Sequence, residues 1–516
     1  MKRTVSIVKG TAVLTAAGFT VKVFGAIYRI LLSRMIGAEG IGLYQMAYPV
    51  YLIFLSLSTA GIPIAISKII AEKSASGDRI GMRAVFRAAF GLMFLLGALS
   101  SAAMAGTARW FASHVVFDPR AIFAIWALSP AIFFMSLMAV FRGFFQGQLY
   151  MQPSAVSQIF EQLVRVGVSI FLAYALLPMG IEHAAAGAAF GATAGGAAGL
   201  VYLVYVYWRN HHSAQNVVSK VGRKDRIILE MRRLIRFALP ISLTAILMPL
   251  LQTLDSVLVP HRLQSIGYTI KQSTTMLGIL GNSWAVIYLP LIVTGAMAAN
   301  MVPAVSILKE SRDRLSLQNK VSEGLRLAMI YLCPASVGLL VFGGTVYRMI
   351  YGDPGITVLS WFSPAIFFLG LEQVSAGVLQ GLGKPKWPLF SFVIGAVIKI
   401  AVTTAATGWP GLNLAGAALG TVSGALVTAS LNLCKIRQMV RFRVERSGAV
   451  VLAGCAMFLA CRYLRKIWDF SLAVEFVSVG FAGVIVYGAA LWLTGGIRLQ
   501  DLEVITQRIN KKGTWT

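Results

Sequence analysis

The chain has 516 residues, 57% hydrophobic and only 13% charged, whereas a soluble domain carries about 25% charged residues. An ordinary soluble enzyme is excluded. Its 50 glycines fall inside apolar runs with no triplet period, which excludes collagen and disordered linkers and points to membrane helices packed through small residues; the 46 Lys and Arg against 19 Asp and Glu then have to be read by position.

Apolar stretches long enough to cross a bilayer recur from near Thr11 almost to the C-terminus. They predict fourteen transmembrane helices, at 10–33, 43–67, 85–108, 121–141, 154–177, 184–207, 237–258, 275–302, 327–347, 357–380, 387–408, 411–434, 447–464 and 472–495. The opening MKRTVSIVKG and its apolar run read as a retained first helix: the run is long, contains Lys22 and Arg29, and shows no convincing small-residue cleavage site. With span-end residues counted with the adjoining loops, alternate loops starting from the N-terminus hold 33 of the 46 Lys and Arg and the opposite set 9. That bias places both termini in the cytoplasm and accounts for the high net charge without a nucleic-acid partner. The four cysteines, Cys333, Cys434, Cys455 and Cys461, form no CxxC pair and read as core residues, with no metal or disulfide signal.

An internal repeat organises the chain. FRGFFQGQLYMQPS at 141–154 resembles AGVLQGLGKPKWPL at 376–389, aligning Gln146 and Gly147 with Gln380 and Gly381. PVYLIFLSLSTAGIPIAIS at 49–67 resembles PLIVTGAMAANMVPAVS at 290–306, aligning Pro63 with Pro303, and GIEHAAAGAAFG at 180–191 echoes GLNLAGAALG at 411–420. The common order predicts an all-α polytopic membrane protein of two pseudo-symmetric six-helix lobes, 1–208 and 237–436, related by an axis along the membrane normal. A basic cytoplasmic connector, 209–236, joins them, and 437–516 adds helices 13 and 14 with a cytoplasmic tail. The connector reads first as a topology-holding loop and second as a lipid-phosphate site; its end from Arg226 alternates apolar and basic residues, as an interfacial amphipathic helix does.

Charges inside the spans carry the functional information. An Arg or Lys at the centre of a lone span costs roughly 2.5–3.5 kcal/mol on insertion scales, so such groups face the protein interior or a water-filled cavity. Lys22 and Arg29, seven positions apart, share a helical face. Glu161 and Arg165 stand at i,i+4, spaced for an ion pair that serves as a structural lock or as part of a transport pathway. Lys399 falls at the repeat equivalent of Arg165, which gives the two halves one intramembrane cation each. Asp255 is placed to neutralise Arg262 or a cavity cation, and Glu372 interrupts an apolar helix as a structural carboxylate or an ion- or proton-coupling group. Prolines in or beside the spans, Pro49, Pro130, Pro290, Pro303, Pro334 and Pro364 among them, suit bent helices. There is no Walker loop, HExxH or GxSxG unit, so no built-in nucleotide motor, catalytic site, metal or cofactor is predicted. Energy then comes from the membrane potential, a Na+ or H+ gradient, the substrate gradient or another subunit.

The run GFTVKVFGAIYRILLSRMIGAEGIGLYQMAYPVYLIFLSLSTAGIPIAISKIIAE, with RGFFQGQLYMQPSAVSQIFEQLVRV and VLQGLGKPKWPL, resembles the polysaccharide-transport branch of the multidrug/oligosaccharidyl-lipid/polysaccharide exporter superfamily. Within it the likeness is to the group holding stage V sporulation protein B and the Gram-positive lipid II flippases, over essentially the whole chain. The resemblance implies a bacterial cytoplasmic-membrane protein, or one of the forespore-surrounding membrane, that moves undecaprenyl-diphosphate-linked peptidoglycan precursor (lipid II) to the outer leaflet by alternating access. It implies a cationic cavity between lobes with the substrate-binding role carried most directly by Arg29, then by Lys22 and Arg262, and a groove for the polyprenyl tail at helices 13 and 14. Arg165 and Lys399 are expected farther along the path. The implied partners are the lipid-linked anionic precursor, membrane lipids and cell-wall synthesis proteins, around a monomer. Three alternatives stay open on the residues: export of another lipid-linked polysaccharide, cation-coupled multidrug export, and a non-enzymatic scaffold.

Overall fold

Continuous apolar sequence with few turn signals gives a structure with no strand among the described residues. The computed structural model describes residues 2–59, 61–211, 223–352, 357–409, 411–442, 446–467 and 471–496, without the side chains of some of them, Lys22 and 237–252 included. In chain order the helices are α1 (Lys2–Thr59), α2 (Ile62–Ala75), α3 (Arg79–Trp110), α4 (Ala121–Gly147), α5 (Gln152–Leu176), α6 (Ile181–His211), α7 (Arg223–Ser265), α8 (Ile270–Glu310), α9 (Arg314–Tyr351), α10 (Val358–Gly381), α11 (Lys386–Thr407), α12 (Leu414–Met439), α13 (Ser447–Ile467) and α14 (Leu472–Leu493).

Two expectations from sequence are corrected. Twelve helices among the described residues are long and apolar enough to span a membrane, not fourteen, and the first of these runs over 24–75. The spans expected at 10–33 and 43–67 are joined without a loop: α1 passes through a single non-helical residue, Gly37, at φ 67° and ψ −178°. That left-handed φ is open to glycine at little cost. The span expected at 237–258 falls on α7, much of whose side-chain content lies outside the description. The compact units are Met1–Asn282 and Ser283–Thr516, so two six-helix lobes divided at 209–236 are not found. The division falls inside α8, because α7 and the start of α8 pack with the N-terminal helices. Residues 212–222 of the connector and the tail from 497 lie outside the described residues. The connector's end is the start of α7, where Leu234 enters the core around Phe86, Phe141 and Phe144. Ion pairs Arg233–Glu72 at 2.7 Å and Lys73–Glu230 at 3.2 Å fix it further.

The repeat survives in the packing. In the first unit α4 presents Gly143 and Gly147 to α2: a Cβ on Gly147 would come within 2.6 Å of the Ser67 carbonyl oxygen and 2.7 Å of Ile70 Cβ. In the second unit α10 presents Gly377 and Gly381 to α8, where a Cβ on Gly381 would lie 2.7 Å from the Val302 oxygen and 2.8 Å from Val305 Cβ. Glycine four apart lets the two backbones touch. Gly143 meets the Pro63 carbonyl and Gly377 the Ala298 carbonyl, so the packing sets Ala298, not Pro303, opposite Pro63. The turns repeat too. Asp78 caps α3 by accepting from Gly81 N at 2.7 Å, and Asp313 caps α9 by accepting from Ser316 N at 3.0 Å.

The α13–α14 hairpin closes on α9 around Phe342, Val450, Met457, Cys461 and Tyr487. Arg465 pins its end, pairing with Glu475 at 2.5 Å and donating to the Val341 carbonyl at 2.6 Å. Cys461 is buried in this core and Cys333 packs against it, but Cys434 and Cys455 are exposed, which corrects the reading of all four as core residues.

The Gly147 contact sets a stability prediction. Gly147→Leu should destabilise the protein by about 1–3 kcal/mol through overpacking, while Gly167→Ala, at a glycine with nothing within 4 Å, should shift it by less than about 0.5 kcal/mol. Thermal unfolding of the two variants in one detergent checks the difference.

Candidate functional site

Helix periodicity brings three charged side chains together where α4, α5 and α6 meet. Glu161 sits between two guanidiniums: its Oε1 accepts from Arg165 Nη2 at 3.1 Å and its Oε2 from Arg142 Nη2 at 2.9 Å. Arg142 Nε also donates to Ser157 Oγ at 3.0 Å. The i,i+4 pair expected from sequence is present. Arg142 was missed, because its place at the end of a span put it with the cytoplasmic loops; the signal available was FRG, one residue short of the Gly143 that carries α4 onto α2. One carboxylate against two guanidiniums leaves the cluster net cationic, and Arg165 Nε is buried with no acceptor among the described residues.

Arg165 faces α1 as well. Tyr44, Tyr48 and Tyr51 lie within electrostatic reach of it, and Tyr48 links the other two by ring contacts with centroids at 5.7 Å. Tyr28 and Tyr44 are within reach of both Arg165 and Arg29, so one aromatic neighbourhood joins the two guanidiniums. Arg29 Nη2 is a second buried donor without an acceptor among the described residues. A Cβ on Gly281 would stand 2.8 Å from it, so this glycine leaves the guanidinium its room. Nearby, Asn282 Nδ2 donates to Ser33 Oγ at 2.7 Å. Lys22 lies on α1 with its side chain outside the description.

In the second unit Lys399 occupies on α11 the place that Arg165 has on α5. Gly195 of α6 would press a Cβ against Arg165 Cβ at 2.9 Å and the Glu161 oxygen at 2.6 Å. Gly424 of α12 would do the same to Lys399 Cβ at 2.9 Å and the Gly395 oxygen at 2.7 Å. Gly395 therefore stands where Glu161 stands, without a carboxylate. The Lys399 ammonium lies 5.7 Å from the centre of the Trp284 ring, which stacks on Tyr288. Glu372 is half-buried on α10, and beside it Gln373 accepts from Thr294 Oγ1 at 2.7 Å. Asp255 is buried on α7 and Arg262 half-buried in its last turn.

A second ionic cluster ties the first unit together beyond Gly37. Arg120 pairs with Glu39 at 2.5 Å and with Asp118 at 2.8 Å, and Asp118, fully buried, accepts from Thr274 Oγ1 at 2.7 Å. Lys271 reaches Glu39 at 3.6 Å. Hydrogen bonding to Asp118, above all, holds the Arg120 guanidinium above its ordinary pKa. Among the described residues no group of His, Cys, Asp and Glu has the arrangement of a metal site.

Residues 7–269 match the family described as polysaccharide biosynthesis protein. Stage V sporulation protein B of Bacillus subtilis is 26% identical over 98% of this chain and 96% of that protein. The lipid II flippase MurJ of the same organism is 26% identical over 97% of each. A solved structure of lipid II flippase MurJ in an inward closed conformation superimposes with a TM-score of 0.67 at 15% identity, over 95% of this chain and 99% of that one. At that identity the likeness shows the fold.

Asp118 and Glu39 provide a test of the second cluster. Asp118→Asn takes a charged partner from Arg120, which keeps Glu39, and should cost about 1.5–3 kcal/mol, whereas Glu39→Gln, at a more open pair, should cost about 1 kcal/mol or less. Thermal unfolding of the purified variants gives both values.

Proposed function

The chain belongs to the polysaccharide biosynthesis protein family, and on that premise we propose that it is a flippase for an anionic, polyprenyl-diphosphate-linked saccharide, with lipid II as the substrate and alternating access as the mechanism. It is a multi-pass protein of the bacterial cytoplasmic membrane. The observation that carries the reading is the pair of buried, acceptor-less donors, Arg29 Nη2 and Arg165 Nε, in one aromatic neighbourhood. A buried donor left unpaired is costly, and a charge-assisted hydrogen bond to a phosphate oxygen satisfies it. A diphosphate brings several such oxygens. The name of one Bacillus subtilis relative, lipid II flippase MurJ, supports the same substrate class.

The physics of the task agrees. A sugar-peptide head and a charged diphosphate cannot cross hydrocarbon unaided, while the polyprenyl tail is at home there. Transport needs a cationic surface for the head and leaves the tail in the lipid. Arg29 and Arg165 hold the diphosphate, with Lys22 and Arg262 on the same path and Lys399 supplying the cation of the second unit. The membrane potential or a Na+ or H+ gradient resets the protein, with Asp255 and Glu372 as the coupling carboxylates. Organic-cation export is the second reading; it draws on Glu372 and on the Trp284–Tyr288 stack. Lys399 opposes it, because its ammonium already sits over the Trp284 face that an organic cation would seek.

Reconstituted in oriented proteoliposomes, the protein should move lipid II from the inner to the outer leaflet, and Arg29→Gln should slow that movement about tenfold or more with insertion and folding unchanged. Robust transport of an organic cation with no lipid movement under an imposed ion gradient or voltage would overturn the reading.

A further inference from the structure

Glu161 is bound in an unusual way for a structural ion pair. Each arginine reaches it through one nitrogen, Nη2, so neither contact is the two-bonded fork that makes an Arg–carboxylate pair strong. Arg142 has its Nε engaged by Ser157, but Arg165 Nε is buried without an acceptor. The Nε–Nη2 edge of Arg165 is thus half used, and a bidentate oxyanion would fill it. The three side chains keep between 12% and 19% of their surface.

The helix packing does not require the carboxylate. At the matching place in the second unit Gly424 closes on the carbonyl of Gly395, as Gly195 closes on the carbonyl of Glu161. The same backbone contact forms with a glycine in place of the glutamate. What Glu161 adds is charge, set against two cations.

From this geometry we propose that Glu161 is a resident counter-ion in an anion site, displaced from Arg165 by a phosphate group of the ligand and kept nearby by Arg142. Arg142 is then a positioning residue: it parks the carboxylate when the phosphate arrives and returns it when the phosphate leaves. The exchange keeps Arg165 from being left bare in the membrane and keeps the bound phosphate from being held too tightly to release. This rests on the flippase reading and assigns to Arg142 and Glu161 a role in ligand exchange.

The test measures equilibrium binding of a short-chain polyprenyl diphosphate, and of tetraphenylphosphonium as the cationic control, to the purified full chain in nanodiscs. Glu161→Gln removes the competitor and should tighten diphosphate binding about tenfold; adding Arg165→Gln should abolish that gain. A folded Glu161→Gln protein that binds the diphosphate no better than the original overturns the proposal. If that variant does not fold, Arg142→Gln/Glu161→Gln is compared with Arg142→Gln alone: tighter binding by the double variant supports the proposal and equal or weaker binding overturns it. Failure of the original protein to bind the diphosphate while binding tetraphenylphosphonium sinks the flippase reading itself, whereas an unresponsive Glu161→Gln sinks the exchange alone.

Discussion

A guanidinium inside hydrocarbon must be given hydrogen-bond acceptors, and much of the first unit answers to that demand. Arg165 draws Glu161 from its own helix. Glu161 in turn draws Arg142 from α4, which reaches back to Ser157 on α5. Each addition satisfies one group and brings another charge that needs satisfying. The chain of demands ends at Arg165 Nε, a buried donor that no described residue answers.

Glycine makes the arrangement possible by letting helices approach until carbonyls rather than side chains set the distance. Gly191 and Gly195 on α6 close on the carbonyls of Arg165 and Glu161, which leaves room for the two charged side chains where α5 meets α6. A larger residue on α6 would separate α5 from α6 and change where the guanidinium points. Gly281 acts more directly, since any side chain there would meet the Arg29 guanidinium.

The family and the helical class were legible in the sequence because both rest on local signals: long apolar runs, and phrases such as RGFFQGQLYMQPS that survive in the packing of Gly143 and Gly147. The number of spans was not, since hydropathy sees a polar gap between 33 and 43 where the backbone turns at one glycine and stays helical. Nor was the division of the chain, which depends on α7 and the head of α8 packing with earlier helices. The Glu161–Arg165 pair could be read from its spacing, whereas Arg142 needed the third dimension, because nothing local links positions 142 and 161. The same limit misplaced the partner of Pro63: sequence aligned one proline with another, and packing chose Ala298.

The two halves share a backbone contact and differ in electrostatics, and the difference bears on mechanism. Arg165 donates to the Glu161 carboxylate, while the Lys399 ammonium lies over the face of Trp284. A cation–π contact at a partly covered site amounts to about 0.5–2 kcal/mol, against about 1.5–3 kcal/mol for a hydrogen bond between charged groups. The two halves therefore keep one backbone contact and set different chemistry beside it, a carboxylate against the guanidinium in one and an indole face near the ammonium in the other.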